Sequence, residues 1–237
     1  YENWTDVSGF LMADPRIVPE AKAISKISYR ELRELSYMGA SVLHEDAVYP
    51  ARLANIPINI RNTNLPDDAG TMITDGKDQD DQIVTGIAGT KDFDVIAIYK
   101  NRMASEKGFL RKLLTILEDY DVVAEHIPSG IDNLSVVVSK KAVEGKIDEI
   151  VDEIKRKLQP ETIEVFEDMS LIATVGHGMS GRRGTSARLL TALAEGGVNI
   201  RMIDQGASEM NIIIGVANRN FEKAIRIIYD TFAEQKA

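Results

Sequence analysis

The sequence predicts an α/β chain whose C-terminal two-thirds is an α+β pair of βαββαβ repeats, the first inserted within the second. Three observations carry this. A constant offset of 76 from Val95 and Leu171 pairs Met103 with Met179, Gly108 with Gly184, "KLLTILEDYDVVAEHI" with "RLLTALAEGGVNIRMI", Gly130 with Gly206, and apolar residues 136–138 with 212–214. After a loop shortened by two residues, Ile147, Ile150, Val151, Ile154 and Leu158 pair with Phe221, Ala224, Ile225, Ile228 and Phe232. Both sets have the spacing i, i+3, i+4, i+7 and i+11, the stripe of an amphipathic helix. Lastly, "TIEVFED" closes the first repeat as a sixth element, whereas the second repeat ends on its helix. The strand-like run "IVTGIAG", residues 83–89, stands unassigned before the first repeat and is read as the missing strand of the second.

In chain order, residues 1–74 predict a helix in "SYRELRELSYMGA", a second helix over 45–54 and a short strand over 58–61. Residues 75–82, from the acidic "TDGKDQDDQ" stretch without large apolar side chains, read as a linker. Residues 92–168 form the first repeat, and 83–89 with 169–237 form the second. The opening "YENWTDVSGF" has neither methionine nor a basic leader, and predicts a chain that begins inside a domain.

Composition narrows the function. Hydrophobic residues are 44% and charged residues 27% of the 237, ordinary values for a globular chain with a sizeable core. A formal charge of -9 disfavours nucleic-acid binding, which rests on clustered Lys and Arg. No apolar run is long enough to predict a membrane span. Without cysteine, and with only His44, His126 and His177, a protein-ligated metal site is not expected.

One motif suggests dinucleotide binding. Gly176, Gly178 and Gly181 have the spacing G-x-G-x-x-G after an apolar run, and Asp204 closes the next apolar run. Two features oppose NAD. The twin loop, "YKNRMASEKG", has no glycine before Gly108, and the short "QGASE" connection suits an antiparallel hairpin, since a parallel crossover needs a dozen or more residues. A ferredoxin-like βαββαβ unit fits better.

Such a unit has a loop opening into a helix N-terminus, whose free N–H groups and dipole suit a carboxylate. In the first repeat this loop is "MASEKGFL", with Met103, Glu106, Gly108, Phe109 and Leu110. The facing strand, "VVAEHIPSG", brings Val123, Ala124, Glu125 and Ser129. Glu125 is placed to meet an ammonium group, and a zwitterion with a second positive end, L-lysine, fits. The same residues also fit plainer roles: Gly108 as a loop glycine, Met103 and Phe109 as core, Glu125 as a solvated edge residue. In the second repeat Arg201 stands where Glu125 does, so that loop takes a different ligand or none.

Several longer motifs point to a family. "WTDVSGFLMADPRIV", "ELSYMGASVLHEDAV", "IPINIRNT" with "GTMI", "EHIPSGID" and "NIRMIDQGASEMNIIIGV" resemble the aspartate kinases over the whole length. The resemblance implies the end of an amino-acid-kinase αβα sandwich followed by two ACT modules, and "PSGID" resembles the lysine-sensitive monofunctional class. It implies a cytoplasmic homodimer or dimer of dimers that phosphorylates the side-chain carboxylate of L-aspartate with ATP and Mg2+. Feedback comes from lysine, or threonine. It also implies that Thr5, Asp6, Leu11, Arg16, Ser41 and Val42 lie on the ATP side, Asp6 toward nucleotide hydroxyls and Arg16 toward phosphates. Relatives often carry an aromatic at the position of Leu11 and a lysine at that of Ser41. The aspartate-binding residues and the "KFGG[ST]S" segment of the family are not in these residues, so no catalytic residue is assigned and this stretch alone is expected to be inactive. His44 reads as packing or capping, because an aspartate carboxylate is already ionised near neutral pH. The alternatives are a stand-alone amino-acid-binding regulatory chain and, through "GHGMSG", an NAD-type enzyme.

Overall fold

The computed structural model describes residues 1–40, 43, 45–76 and 82–233. The chain divides into two compact units, one of Tyr1–Thr90 with Leu171–Ala237 and one of Lys91–Ser170.

In the first unit, strands β1 (Glu2–Thr5), β2 (Lys26–Ser28), β3 (Ile58–Asn62) and β4 (Thr71–Thr74) form a sheet in the order β1-β3-β4-β2. The β1/β3 and β2/β4 pairs are parallel, and β3/β4 is antiparallel. Alternation along β3 buries Ile58 and Ile60 completely, which fixes its register against the core. Helix α1 (Tyr29–Tyr37) starts at a capping box: the Ser28 hydroxyl accepts from the Glu31 N–H, and the Glu31 carboxylate accepts from the Ser28 N–H. It buries Tyr29, Leu32 and Leu35. Helix α2 (Glu45–Leu53) follows.

The same unit holds the later residues of the chain: α6 (Thr185–Glu195), β8 (Ile200–Asp204), β9 (Asn211–Ala217) and α7 (Phe221–Phe232). Strands β8 and β9 are antiparallel, with a bulge between Ile200 and Met202, as the short connection predicts. Helix α7 buries Phe221, Ala224, Ile225, Ile228 and Phe232, the stripe read from periodicity, and adds Tyr229.

The second unit contains α3 (Phe109–Asp119), β6 (Asn133–Ser139), α4 (Lys140–Val143) and α5 (Ile147–Leu158). Its core gathers Ile96, Ile98, Leu113, Ile116, Val136, Val138, Ile150, Ile154 and Leu158, so α3 and α5 cover one sheet face. Two strands begin in one unit and end in the other: β5 (Gly86–Tyr99) and β7 (Thr162–Val175), each 14 residues long. The sequence divides each into two shorter runs. The interruptions are charged residues, of which Asp92 (φ 69°) and Asp168 (φ 57°) take the left-handed conformation that Asp tolerates better than most side chains.

One expected strand does not form. The "VVAEHI" run is tied to β6 by isolated bridges, His126 to Val137 and Ser129 to Leu134, with no regular ladder. Pro128 between them has no N–H to give, although its carbonyl accepts from Ser135. Strands β1, β2 and β4 are additions to the sequence reading. Of the linker, residues 77–81 lie outside the described residues.

Candidate functional site

The residues assigned to the nucleotide side fall at two places in the first unit. Strand β1 ends at Thr5, whose hydroxyl donates to the Asp6 carboxylate (3.1 Å), while the Thr5 carbonyl accepts the Thr63 N–H (2.8 Å). Asp6 is exposed. Residues 10–24 then form a closed loop: Leu11 bridges to Ala23, Met12 N–H donates to Lys22 O, and Ile24 N–H donates to Phe10 O. At its tip Arg16 is exposed and forked onto Asp14, Nε to Oδ1 and Oδ2 at 3.0 and 3.1 Å and a terminal nitrogen to Oδ2 at 2.6 Å. The hydrogen bonds from Arg16 hold the Asp14 carboxyl below its ordinary range, and Asp14 in turn raises Arg16. This turn therefore presents a guanidinium whose charge one carboxylate already offsets. Ser41, Val42 and His44 lie outside the described residues.

The residues assigned to the effector all lie in the second unit. Met103 and Phe109 are buried in its core, and Ala124 packs on the same cluster. Gly108 precedes α3 at φ 78°, which favours glycine. Leu110 and Val123 are exposed hydrophobics, 45% and 67%, and Ser129 is exposed as well. The Glu125 N–H donates to Val137 O, fixing the backbone from which its half-buried side chain projects. Glu106 differs from a free receptor: its carboxylate takes Lys100 Nζ and Lys112 Nζ, each at 2.8 Å, and these hydrogen bonds lower its pKa. The loop is thus internally charge-paired. Lys100 also stands 5.7 Å from the Phe109 ring centroid.

The glycine motif has a packing explanation. A Cβ on Gly176 would lie 2.2 Å from Ile83 O, and one on Gly178 would lie 2.2 Å from Gln82 O. Two backbones approach here more closely than any side chain permits. The His177 N–H in between donates to Glu31 Oε1 (2.8 Å). Glu31 is fully buried and was not singled out from the sequence, although Ser28-x-x-Glu31 is a readable capping-box signature. Burial pushes its pKa up, but hydrogen bonds from Ser28, Thr85 and the backbone of Ser28 and His177 outweigh this and leave it lowered. Just beyond the motif, Met179, Arg182, Arg183, Thr185, Ser186 and Glu209 line a cavity of about 310 Å³, at the place in the second repeat that matches residues 103–110 of the first. Among the described residues no cluster of three His, Asp or Glu side chains is placed to hold a metal ion, and no helix is long and apolar enough to cross a membrane.

The family matches give an amino-acid-kinase segment followed by ACT regulatory structure: residues 1–62 match the amino acid kinase family and residues 172–232 the ACT domain. The chain is homologous to the aspartokinases along nearly its whole length. It is 39% identical to aspartokinase 3 of Bacillus subtilis over 233 residues, 98% of this chain and 51% of the relative. Against the crystal structure of Clostridium acetobutylicum aspartate kinase, described as an allosteric enzyme, it has 56% identity and a TM-score of 0.95, covering 98% of this chain and 54% of that one. Escherichia coli aspartokinase III in complex with lysine and aspartate (T-state) shares the fold at 24% identity and a TM-score of 0.80, over 98% of this chain and 52% of that one. The chain spans about half the length of these relatives.

Proposed function

We propose that the whole protein is an aspartate kinase, transferring the γ-phosphoryl group of ATP to the side-chain carboxylate of L-aspartate. The observation that carries this reading is the likeness to the Clostridium enzyme, 56% identical over 98% of this chain. In this proposal residues 1–74 are the end of the kinase domain, and residues 92–168 and 83–89 with 169–237 are the two ACT modules. Phosphoryl transfer depends on positioned charge around the moving group. Arg16, forked on Asp14 in this state, contributes to phosphate binding once the pair opens, and Asp6 faces nucleotide hydroxyls, with Thr5, Leu11, Ser41 and Val42 on the same side. Magnesium enters with the nucleotide. The aspartate carboxylate is ionised near neutral pH and needs no base.

Lysine is the proposed feedback inhibitor, bound at the start of α3 with Glu125 toward its ε-ammonium; Met103, Gly108, Phe109, Leu110, Val123, Ala124 and Ser129 surround it. Glu106 acts through its two lysines. The reaction would open the cytoplasmic route to lysine, threonine and methionine, in a homodimer or dimer of dimers. The test is ADP release by the full-length protein: aspartate-dependent turnover that lysine suppresses is expected. Turnover without aspartate dependence would overturn the activity, and suppression by threonine alone would reassign the effector. A second reading, a regulatory chain that binds an amino acid without chemistry of its own, draws on the separate core of the second unit. Lysine binding without any ADP release would favour it.

A further inference from the structure

The Glu31 carboxylate divides its hydrogen bonds between two parts of the first unit. Oε2 serves its own helix start, accepting the Ser28 N–H (2.9 Å) and the Ser28 hydroxyl (2.6 Å). Oε1 reaches into the second repeat, accepting the Thr85 hydroxyl (2.7 Å) and the His177 N–H (2.8 Å). The side chain is wholly buried, so loss of either pair of donors would leave a desolvated charge half satisfied, a costly state.

Further contacts hold α1 along its length. Asn211 Nδ2 donates to Glu34 Oε2 (2.6 Å), and Thr90 Oγ1 donates to Met38 O (3.1 Å). Gly86 leaves the room that Leu35 fills, since a Cβ there would stand 2.7 Å from Leu35 Cδ1. The chain then passes from α1 toward residues 41–42. The loop bearing Leu11 and Arg16 is held from the same side. Ile87 N–H donates to Met12 O (2.6 Å), the Tyr229 hydroxyl donates to Glu20 O (3.0 Å) and accepts from Lys22 N–H (3.1 Å), and Lys22 Nζ donates to Ala233 O (2.7 Å). Helix α1 and the loop bearing Leu11 and Arg16 are thereby both fastened to the second repeat.

We propose that Glu31 is a positioning residue for nucleotide binding: through Oε1 it makes the placement of α1 depend on the conformation of the glycine loop at residues 176–181. The inference rests on the nucleotide-side reading above. It gives the "GHGMSG" motif a role as a joint. The close backbone approach at Gly176 and Gly178 is what brings the His177 N–H to the carboxylate, and the same loop runs on into the cavity at Arg182 and Thr185. A change in that loop would reach the kinase segment through one carboxylate.

The test uses the full-length enzyme. Thr85→Val removes one donor to Oε1 and little volume, and Glu31→Gln weakens both sets of bonds. Each is expected to raise the KM for ATP, Thr85→Val by about 3- to 10-fold, with kcat and the KM for aspartate within about twofold of the parent. Thr85→Ser, which restores the hydroxyl, should return the KM for ATP to the parent value. If Glu31→Gln does not fold, Thr85→Val and its rescue decide alone. An unchanged KM for ATP, a parallel shift of every kinetic constant, or failure of the serine to rescue would overturn the role. Calorimetric ATP binding to parent and Thr85→Val protein separates this from the activity. If no aspartate-dependent turnover exists but ATP binding still weakens in the variant, the kinase reading falls and the joint stands.

Discussion

Asp94 shows what a single side chain costs in the second unit. It is buried in β5, Oδ1 has no hydrogen-bond partner, and the Lys140, Glu167 and Asp168 side chains face it. Burial pushes its pKa up; Lys140 pulls the other way, and the two nearby carboxylates add to the rise. A carboxyl whose folded pKa is raised favours the fold while protonated, so its contribution is full below the unfolded pKa and lost as pH rises through the folded one. Asp94→Asn should therefore raise Tm at pH 7, with a gain that shrinks toward pH 4; a pH-independent change would show that the charge is not the cause. If lysine binds where proposed, Glu125→Ala should weaken inhibition of the proposed full-length kinase about tenfold, the size of one lost hydrogen bond to a charged group. Unchanged inhibition would remove Glu125 from the site. Glu125 could be proposed from sequence because its type suggests a chemistry, a lone carboxylate opposite a helix start, whereas the burial of Asp94 depends on packing that sequence does not show. The links of Glu31 to Thr85 and His177, and of Tyr229 to Glu20 and Lys22, join groups far apart in the chain, and sequence does not show which distant residues meet.

At the level of elements, the helices were the most readable, since a buried stripe repeats every turn: the periodic residues of α7 are the ones it buries. Strands of three or four residues, such as β2 and β4, carry too few positions for alternation to register. The long strands β5 and β7 were hidden for another reason. In β5 the exposed residues 90–92 separate two buried runs, and in β7 a largely exposed first half precedes a buried second half, so pattern reading sees two elements in each. The glycine motif makes a sharp prediction at this scale. Gly178→Ala forces a contact at 2.2 Å with Gln82 O, whereas an alanine at Gly181 meets open space and only the strain of φ 69°. Gly181→Ala should cost about 1–2 kcal/mol, and Gly178→Ala distinctly more. Denaturant titration of both variants checks the order, and equal losses would refute the packing explanation.

For the whole molecule, the division into units does not follow the division into kinase and regulatory sequence. The kinase segment and the second repeat share one unit and the Glu31, Met12 and Tyr229 contacts, while residues 91–170 have a core of their own. A polypeptide of residues 91–170 should unfold cooperatively by itself. One beginning at residue 83 should keep that transition but lose stability in the second repeat, which gives up its partners on α1. Hydrogen exchange would report this as faster exchange at residues 171–175 and 212–216 with little change at 134–138, and uniform protection would contradict it.

The paired backbones at the base of the inserted unit carry a consequence for chain entropy. Thr85 N–H donates to Val175 O, and Gly89 packs against Leu171, so the pairing runs antiparallel and brings residues 90 and 171 together. To the first unit, everything between them is one closed loop. The entropy of closing a loop grows only with the logarithm of its length, so replacing residues 91–170 by a two-residue hairpin turn would spare at most ~3 kcal/mol even if the insert were unstructured. Because the insert folds on a core of its own, its two ends are already held near each other, and most of that cost is met before the first unit closes. A tether of this kind lets one unit be lengthened, trimmed or exchanged with little penalty to its host.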